Sequence, residues 1–209
     1  MPALTEREVS RPTEDDRPKL RLQLSRTRIA PRYQQVRLAE LEPTAGNQKA
    51  IRIAERLMED RPGTRGAMFA GPVGVGKTHL ACAVALAWAT RGRTVLFYTM
   101  LDWLRDMKET FDERSLKSES ELLRTCAHAD LFVLDDFGAE RGTDWARGAV
   151  VGLVERLYNQ GTTILVTTNL QLAEVERLYD PRLSSRLMDM VEPVRVAGDD
   201  YRSKARRRS

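Results

Sequence analysis

The sequence predicts an α/β fold: a five-stranded parallel sheet held between two layers of helix. Three observations carry that expectation. Short apolar runs alternate with stretches of helical periodicity along most of the chain. The runs are too continuously hydrophobic to leave one sheet face wet, as buried parallel strands require. A glycine-rich loop separates the first run from the next helical stretch.

The elements follow in order. Ala50, Ile51, Ala54, Leu57 and Met58 recur at helical spacing within 47–60, with Asn47 as N-cap and Pro62-Gly63 as stop. Ala67 to Ala70 is a short buried strand leading into Gly71. Residues 77–90 read as a helix rich in Ala, Leu and Val, closed by Gly92. Thr94 to Thr99 is β-branched and aromatic, a second strand. Helical pattern covers 101–111 and 119–128. Leu131 to Leu134 is a third strand and runs into Asp135-Asp136. A helix over 144–159, a strand over 162–168, helices over 171–178 and 181–189, and a strand over 191–196 complete the series.

Composition narrows the class. The 209 residues are 42% hydrophobic and 31% charged, ordinary for a soluble globular chain of one domain. No apolar run reaches membrane-span length, and the polar N-terminus has no signal-peptide core, so a cytoplasmic protein without membrane contact is expected. Cys82 and Cys126 read as buried free thiols. They and His79 and His128 lack zinc-site spacing. Net charge is +4. Five of the cations (Arg202, Lys204, Arg206, Arg207 and Arg208) crowd the last eight residues with no acid, a solvated tail or a non-specific attraction to nucleic-acid phosphates. Residues 1–30 read as a flexible N-terminal arm, in which Leu20, Leu22 and Leu24 alternate. Residues 203–209 read as a basic tail.

The chemistry begins at Gly71-Pro-Val-Gly-Val-Gly-Lys-Thr78. Glycines at 71, 74 and 76 let the backbone turn tightly, so that its N–H groups and the next helix's N-terminus converge on phosphate. Lys77 can reach the β- and γ-phosphates, and Thr78 can place its hydroxyl on Mg²⁺. The loop follows a strand and opens a helix, the context that separates a P-loop from a chance match. The nucleotide-binding set is Gly71, Pro72, Val73, Gly74, Val75, Gly76, Lys77, Thr78, His79 and, near the C-terminus, Arg202.

The third strand delivers two carboxylates to the edge where ligands bind in open α/β sheets. Asp135 is expected to hold Mg²⁺ and Asp136 to polarise the attacking water. Asn169, after the fourth strand, is placed to bond the γ-phosphate or orient that water. Arg182 and Arg186 lie four apart on one helix face. Arg186 is the leading candidate for stabilising transition-state charge. A small-molecule kinase would need an acceptor pocket and an Arg-rich lid, and neither is legible. A nucleotide-binding module without turnover is disfavoured by the intact Lys77, Asp135 and Asp136.

These residues together resemble the AAA+ ATPases of the DnaC/DnaI/IstB group, bacterial helicase loaders and transposition helpers. Ala30-Pro-Arg-Tyr33 resembles the segment before their core. Gly71 to Thr78 resembles Walker A, Leu131 to Gly138 Walker B, and Thr168-Asn169-Leu170 sensor 1. Ser185-Arg186-Leu187 resembles the arginine-finger box and Gly198 to Arg202 sensor 2. The resemblance implies a three-layer P-loop NTPase core over 31–202 that binds and hydrolyses ATP with Mg²⁺. It implies assembly into a ring or spiral in which Arg186 completes a neighbour's site, and DNA, chiefly single-stranded, as partner. It further implies a replicative helicase or, in the alternative, a transposase as client. The chain ends soon after the sensor 2 segment, so at most a minimal helical lid is expected. In the DnaA/DnaC branch the helices after the second strand help contact DNA, which makes Arg105 and Lys108 candidates, with Trp103 either stacking on DNA or packing the core.

Overall fold

The computed structural model describes residues 26–201 apart from 62, 113, 116–117, 140–142 and 180. Leu20, Leu22, Leu24, Arg202 and the basic tail lie outside the described residues, as does any lid beyond residue 201. The strands are β1 (Gly66–Ala70), β2 (Val95–Thr99), β3 (Leu131–Phe137), β4 (Thr163–Thr168) and β5 (Val191–Arg195). The helices are α1 (Gln48–Met58), α2 (Lys77–Thr90), α3 (Met100–Glu109), α4 (Glu119–Ala127), α5 (Asp144–Gln160), α6 (Leu172–Leu178) and α7 (Pro181–Met190). All strand pairs are parallel, in the order β2-β3-β4-β1-β5.

Side-chain alternation along the strands builds two cores. Ala67, Phe69, Val95, Phe97, Leu131, Val133 and Leu165 face α1 and α2. Met68, Tyr98, Phe132, Leu134, Ile164 and Val166 face α3, α4, α5 and α7. Burying a Phe or Leu side chain on either face contributes roughly 1.5–3 kcal/mol, so both layers are needed to hold the sheet. Helix α2 is buried on nearly every side, and its alanines let it lie close to the sheet and to α1. The Trp88 indole N–H, which would otherwise be lost in that core, donates to the Leu57 carbonyl at 2.7 Å.

The element order and types match the sequence expectations, with small shifts at the ends. Three differences have physical causes. Asn47 occupies the N-cap position of α1 but makes no cap bond. Its amide instead accepts from the Thr44 N–H at 2.7 Å and donates to the Glu42 carbonyl at 3.0 Å, bracing the loop before the helix. Strand β3 continues through both aspartates to Phe137, because Asp135 still pairs with β2. Residues 28–41, without regular periodicity, form two 3-10 turns, Pro31–Tyr33 and Leu38–Glu40. Ile29, inside the stretch read as an arm, is buried against the α1–α2 core.

Candidate functional site

The glycine loop connects β1 to α2. Gly71 has no room for a side chain, since a Cβ there would stand 2.0 Å from the Val196 carbonyl oxygen. Gly76 caps α2 at φ +96°, a conformation other residues adopt at a cost. Val75 turns into the core, 2% exposed, which leaves its backbone to face the loop, whereas Val73 is 60% exposed.

Lys77 begins α2 and is buried, 6% exposed. Its ammonium donates to the carbonyls of Gly71 at 2.8 Å and Pro72 at 2.7 Å, and to Asn169 Oδ1 at 2.8 Å. The loop and the end of β4 are therefore already joined through one cation. Strand β4 lies between β1 and β3, and this order is what carries Asn169 to the lysine.

Thr78 donates to Asp135, with contacts of 3.0 and 3.2 Å to its two oxygens. Asp135 is 4% exposed. Burial pushes its carboxyl above the usual carboxylate range, and Asp136 adds to that. Hydrogen bonds from Thr167 and Thr78, and the charge of Lys77, oppose the shift. The pairing of β3 with β4 slips between Leu134 and Phe137, so two residues of β3 face one of β4. Asp136 absorbs the bulge at φ +55°, an uncommon conformation for a residue with a side chain. Thr167 spans the bulge: its hydroxyl donates to Asp135 Oδ1 and accepts from the Asp136 N–H at 3.0 Å. The bulge separates the two acids, with Asp135 turned inward beside Thr78 and Asp136 exposed at the sheet edge.

Thr78 and Asp135 present hard oxygen donors that suit Mg²⁺. Among the described residues, His, Cys, Asp and Glu form no cluster that could cage a metal alone.

One wall of the cavity was legible only in part: His79, Tyr33 and Tyr201 fall within segments singled out in the sequence, whereas Glu40 and Leu41 do not. Tyr33, Glu40, Leu41, His79 and Tyr201 line the cavity together with Val73, Gly74, Gly76 and Lys77 of the loop. Tyr201 N–H donates to the Gly74 carbonyl at 3.0 Å, and its hydroxyl lies 3.3 Å from both the Glu42 carbonyl and Asn47 Nδ2. His79 Nε2 lies 2.8 Å from the Arg37 carbonyl, so the ring braces this wall. The apolar spacing of Leu38 and Leu41 was the available hint.

Arg186 is elsewhere. It pairs with Glu155 of α5 and lies 5.9 Å over the Tyr158 ring. Neither Arg186 nor Arg182 lines the cavity at the loop. Trp103 is fully buried, which decides for packing over stacking. Leu101 on the same helix is 55% exposed, and Arg105 is paired with Asp102 at 2.9 Å. Cys82 and Cys126 are buried free thiols; burial pushes the Cys126 thiol up to about 12. No helix among the described residues is long and apolar enough to cross a membrane.

The family model described as IstB-like ATP binding protein matches residues 63–209, well over half the chain. The chain belongs to the IstB-like ATP-binding protein family. This IstB-like chain is 29% identical over 143 residues to the replicative helicase loader DnaC of Escherichia coli (strain K12), covering 68% of this chain and 58% of the loader. It is 28% identical over 171 residues to the ATP-binding protein of insertion sequence IS232 from Bacillus thuringiensis subsp. berliner, covering 79% of this chain and 66% of that one. The crystal structure of the DnaC helicase loader superposes with a TM-score of 0.71 at 26% identity, covering 80% of this chain and 100% of that one. The IstB-like protein thus spans little more than half the length of the curated loaders it matches.

Proposed function

We propose that this protein is an ATP-dependent, DNA-associated assembly factor of the helicase-loader type. It binds ATP with Mg²⁺ and hydrolyses it in a site shared between neighbouring subunits. The observation that carries the reading is that two cavities adjoin at Thr78 and Asp136, one lined by Lys77, held to Asn169, and the other by Asp135, held to Thr78. Such an arrangement serves a triphosphate: Lys77 exchanges loop carbonyls for phosphate oxygens, and Thr78 and Asp135 would hold Mg²⁺, which would supply neutralisation of the phosphate charge. Asp136 accepts a proton from the attacking water, and Asn169 orients that water or bonds the terminal phosphate. In this reading Arg202 senses the nucleotide from the C-terminal side.

Arg186 acts in trans. Its placement away from its own loop favours a head-to-tail assembly, in which the same two patches meet at every interface and close a ring or open a spiral. ATP then stabilises the assembled, DNA-gripping state, and hydrolysis releases it. Arg105 and Lys108 on α3 offer positive charge to the DNA. Phosphate release with and without single-stranded DNA tests the reading: Arg186→Ala removes the DNA-stimulated part while nucleotide binding persists. Unchanged DNA-stimulated turnover in that variant contradicts it.

A second reading is favoured by the family model itself and by the insertion-sequence relative: a helper that prepares target DNA for a transposase. Capture of partners on the ATP-analogue-bound protein separates the two, since one client is a hexameric helicase and the other a transposase.

A further inference from the structure

A second cavity adjoins that of the loop, sharing Tyr33, Thr78 and Asp136 with it, and one side of it is closed by residues 28–33, a strap with no role in the hydrolysis scheme above. Arg28 pins it. The Arg28 guanidinium lies 4.1 Å over the Tyr98 ring, bonds the Tyr98 hydroxyl, and pairs with Asp106 of α3 at 2.5 Å. Tyr98 in turn donates to Asp106 at 3.0 Å, which closes a three-membered clasp at the end of β2. Buried Ile29 anchors the strap on the other side, and its carbonyl accepts from Gln34 Nε2 at 2.9 Å.

The clasp fixes where Arg32 stands. Arg32 lines the same cavity as Thr78, Asp135 and Asp136. It is exposed, and its guanidinium lies 4.8 Å over the ring of Tyr33, a flat platform for it. Among the described residues it forms no ion pair, although three carboxylates, Asp102, Asp135 and Asp136, share its cavity. Its neighbour Arg28 is fully engaged, so Arg32 is the arginine of the strap with charge to offer. A guanidinium held on a platform, in a cavity with the Thr78 hydroxyl and the Asp135 carboxylate that suit a metal, fits the terminal phosphate of a nucleoside triphosphate.

We infer that Arg32 is a contact for the γ-phosphate, supplied in cis by the strap, and that Arg28 is the positioning residue that holds it there. This rests on the reading that the site takes ATP. Arg32 then reads the presence of the third phosphate, which a nucleoside diphosphate lacks.

Calorimetric titration of the full chain with Mg²⁺-ATP and Mg²⁺-ADP, paired with single-turnover hydrolysis, tests it. Losing one charge-assisted contact in Arg32→Ala should weaken ATP about tenfold and leave ADP within about twofold, with hydrolysis slowed by at least about tenfold. Arg32→Lys should restore part of the ATP preference. Arg28→Ala should repeat the ATP-selective loss more weakly, at an unchanged thermal midpoint for Arg32→Ala and a slightly lowered one for itself. Equal weakening of both nucleotides, no weakening of either, or a change confined to DNA affinity overturns the inference while leaving the ATP reading standing. A wild-type chain that binds neither nucleotide overturns the ATP reading and the inference with it.

Discussion

The cavity has two halves built by different means. Its phosphate half hangs on regular elements: the β1–α2 loop, the bulged end of β3 and the end of β4, with Lys77 bonded to Asn169 and Thr78 to Asp135. Its other half is irregular chain, residues 28–42 and 199–201, held by side-chain bonds such as Asn47 to Tyr201 and Arg28 to Asp106. The sheet places the first half wherever these strands pair in this order. The second half exists only because distant segments meet. In the proposed scheme the chemistry falls to the half built on regular elements and nucleotide recognition to the assembled one.

The comparison predicts effects of graded size. Asp136→Asn should cut hydrolysis by about 10²–10⁴-fold with ATP affinity kept, the scale of a lost general base; single-turnover phosphate release measures it, and a loss of affinity instead would place Asp136 in binding. Lys77→Ala should weaken ATP by roughly 10- to 100-fold, as for a charge-assisted bond, measured by equilibrium titration. Thr167→Val should leave Asp135 and the Asp136 N–H short of a partner and lower stability by about 1–3 kcal/mol, read as a shifted urea midpoint at constant slope. Tyr201→Ala, in the irregular half, should weaken ATP and ADP alike by a few-fold and spare the hydrolytic step; a selective loss of turnover would erase the contrast between the halves.

The smallest effect lies away from the cavity. Arg56, with Lys49, holds the Glu192 carboxyl below the usual carboxylate range. A depressed folded-state value stabilises above the unfolded carboxylate range, and the benefit fades as pH falls through the folded value. The pair is largely exposed, so Glu192→Gln should cost under about 1 kcal/mol near neutral pH and nothing in acid. Denaturant midpoints at several pH values give both numbers.

The same contrast explains what could be read from residues alone. Gly71 to Thr78, Asp135, Asp136 and Asn169 were legible because each sits where a strand with a short-range apolar pattern ends, and strand ends of a parallel sheet share one edge. The β3 bulge was not, because nothing in Asp135-Asp136 announces the positive φ that the register slip imposes. Asn47 had the composition of a cap, but contacts with the preceding loop and with Tyr201 outcompeted the helix for its amide. Tyr33, Leu41 and Tyr201 form one wall through contacts across most of the chain, and no local window holds that information. Trp103 was ambiguous for a related reason, since an aromatic on an amphipathic helix packs or protrudes according to a rotation that its neighbours set.

A shared site is tested most directly by mixing subunits. Arg186→Ala keeps an intact phosphate half, and Asp136→Asn keeps an intact arginine, so each alone should be nearly inactive in DNA-stimulated phosphate release. If Arg186 serves the neighbouring site, assemblies formed from an equal mixture should recover a clear fraction of wild-type turnover, because some interfaces pair two intact halves. Turnover of the mixture no higher than the average of the two variants would contradict it.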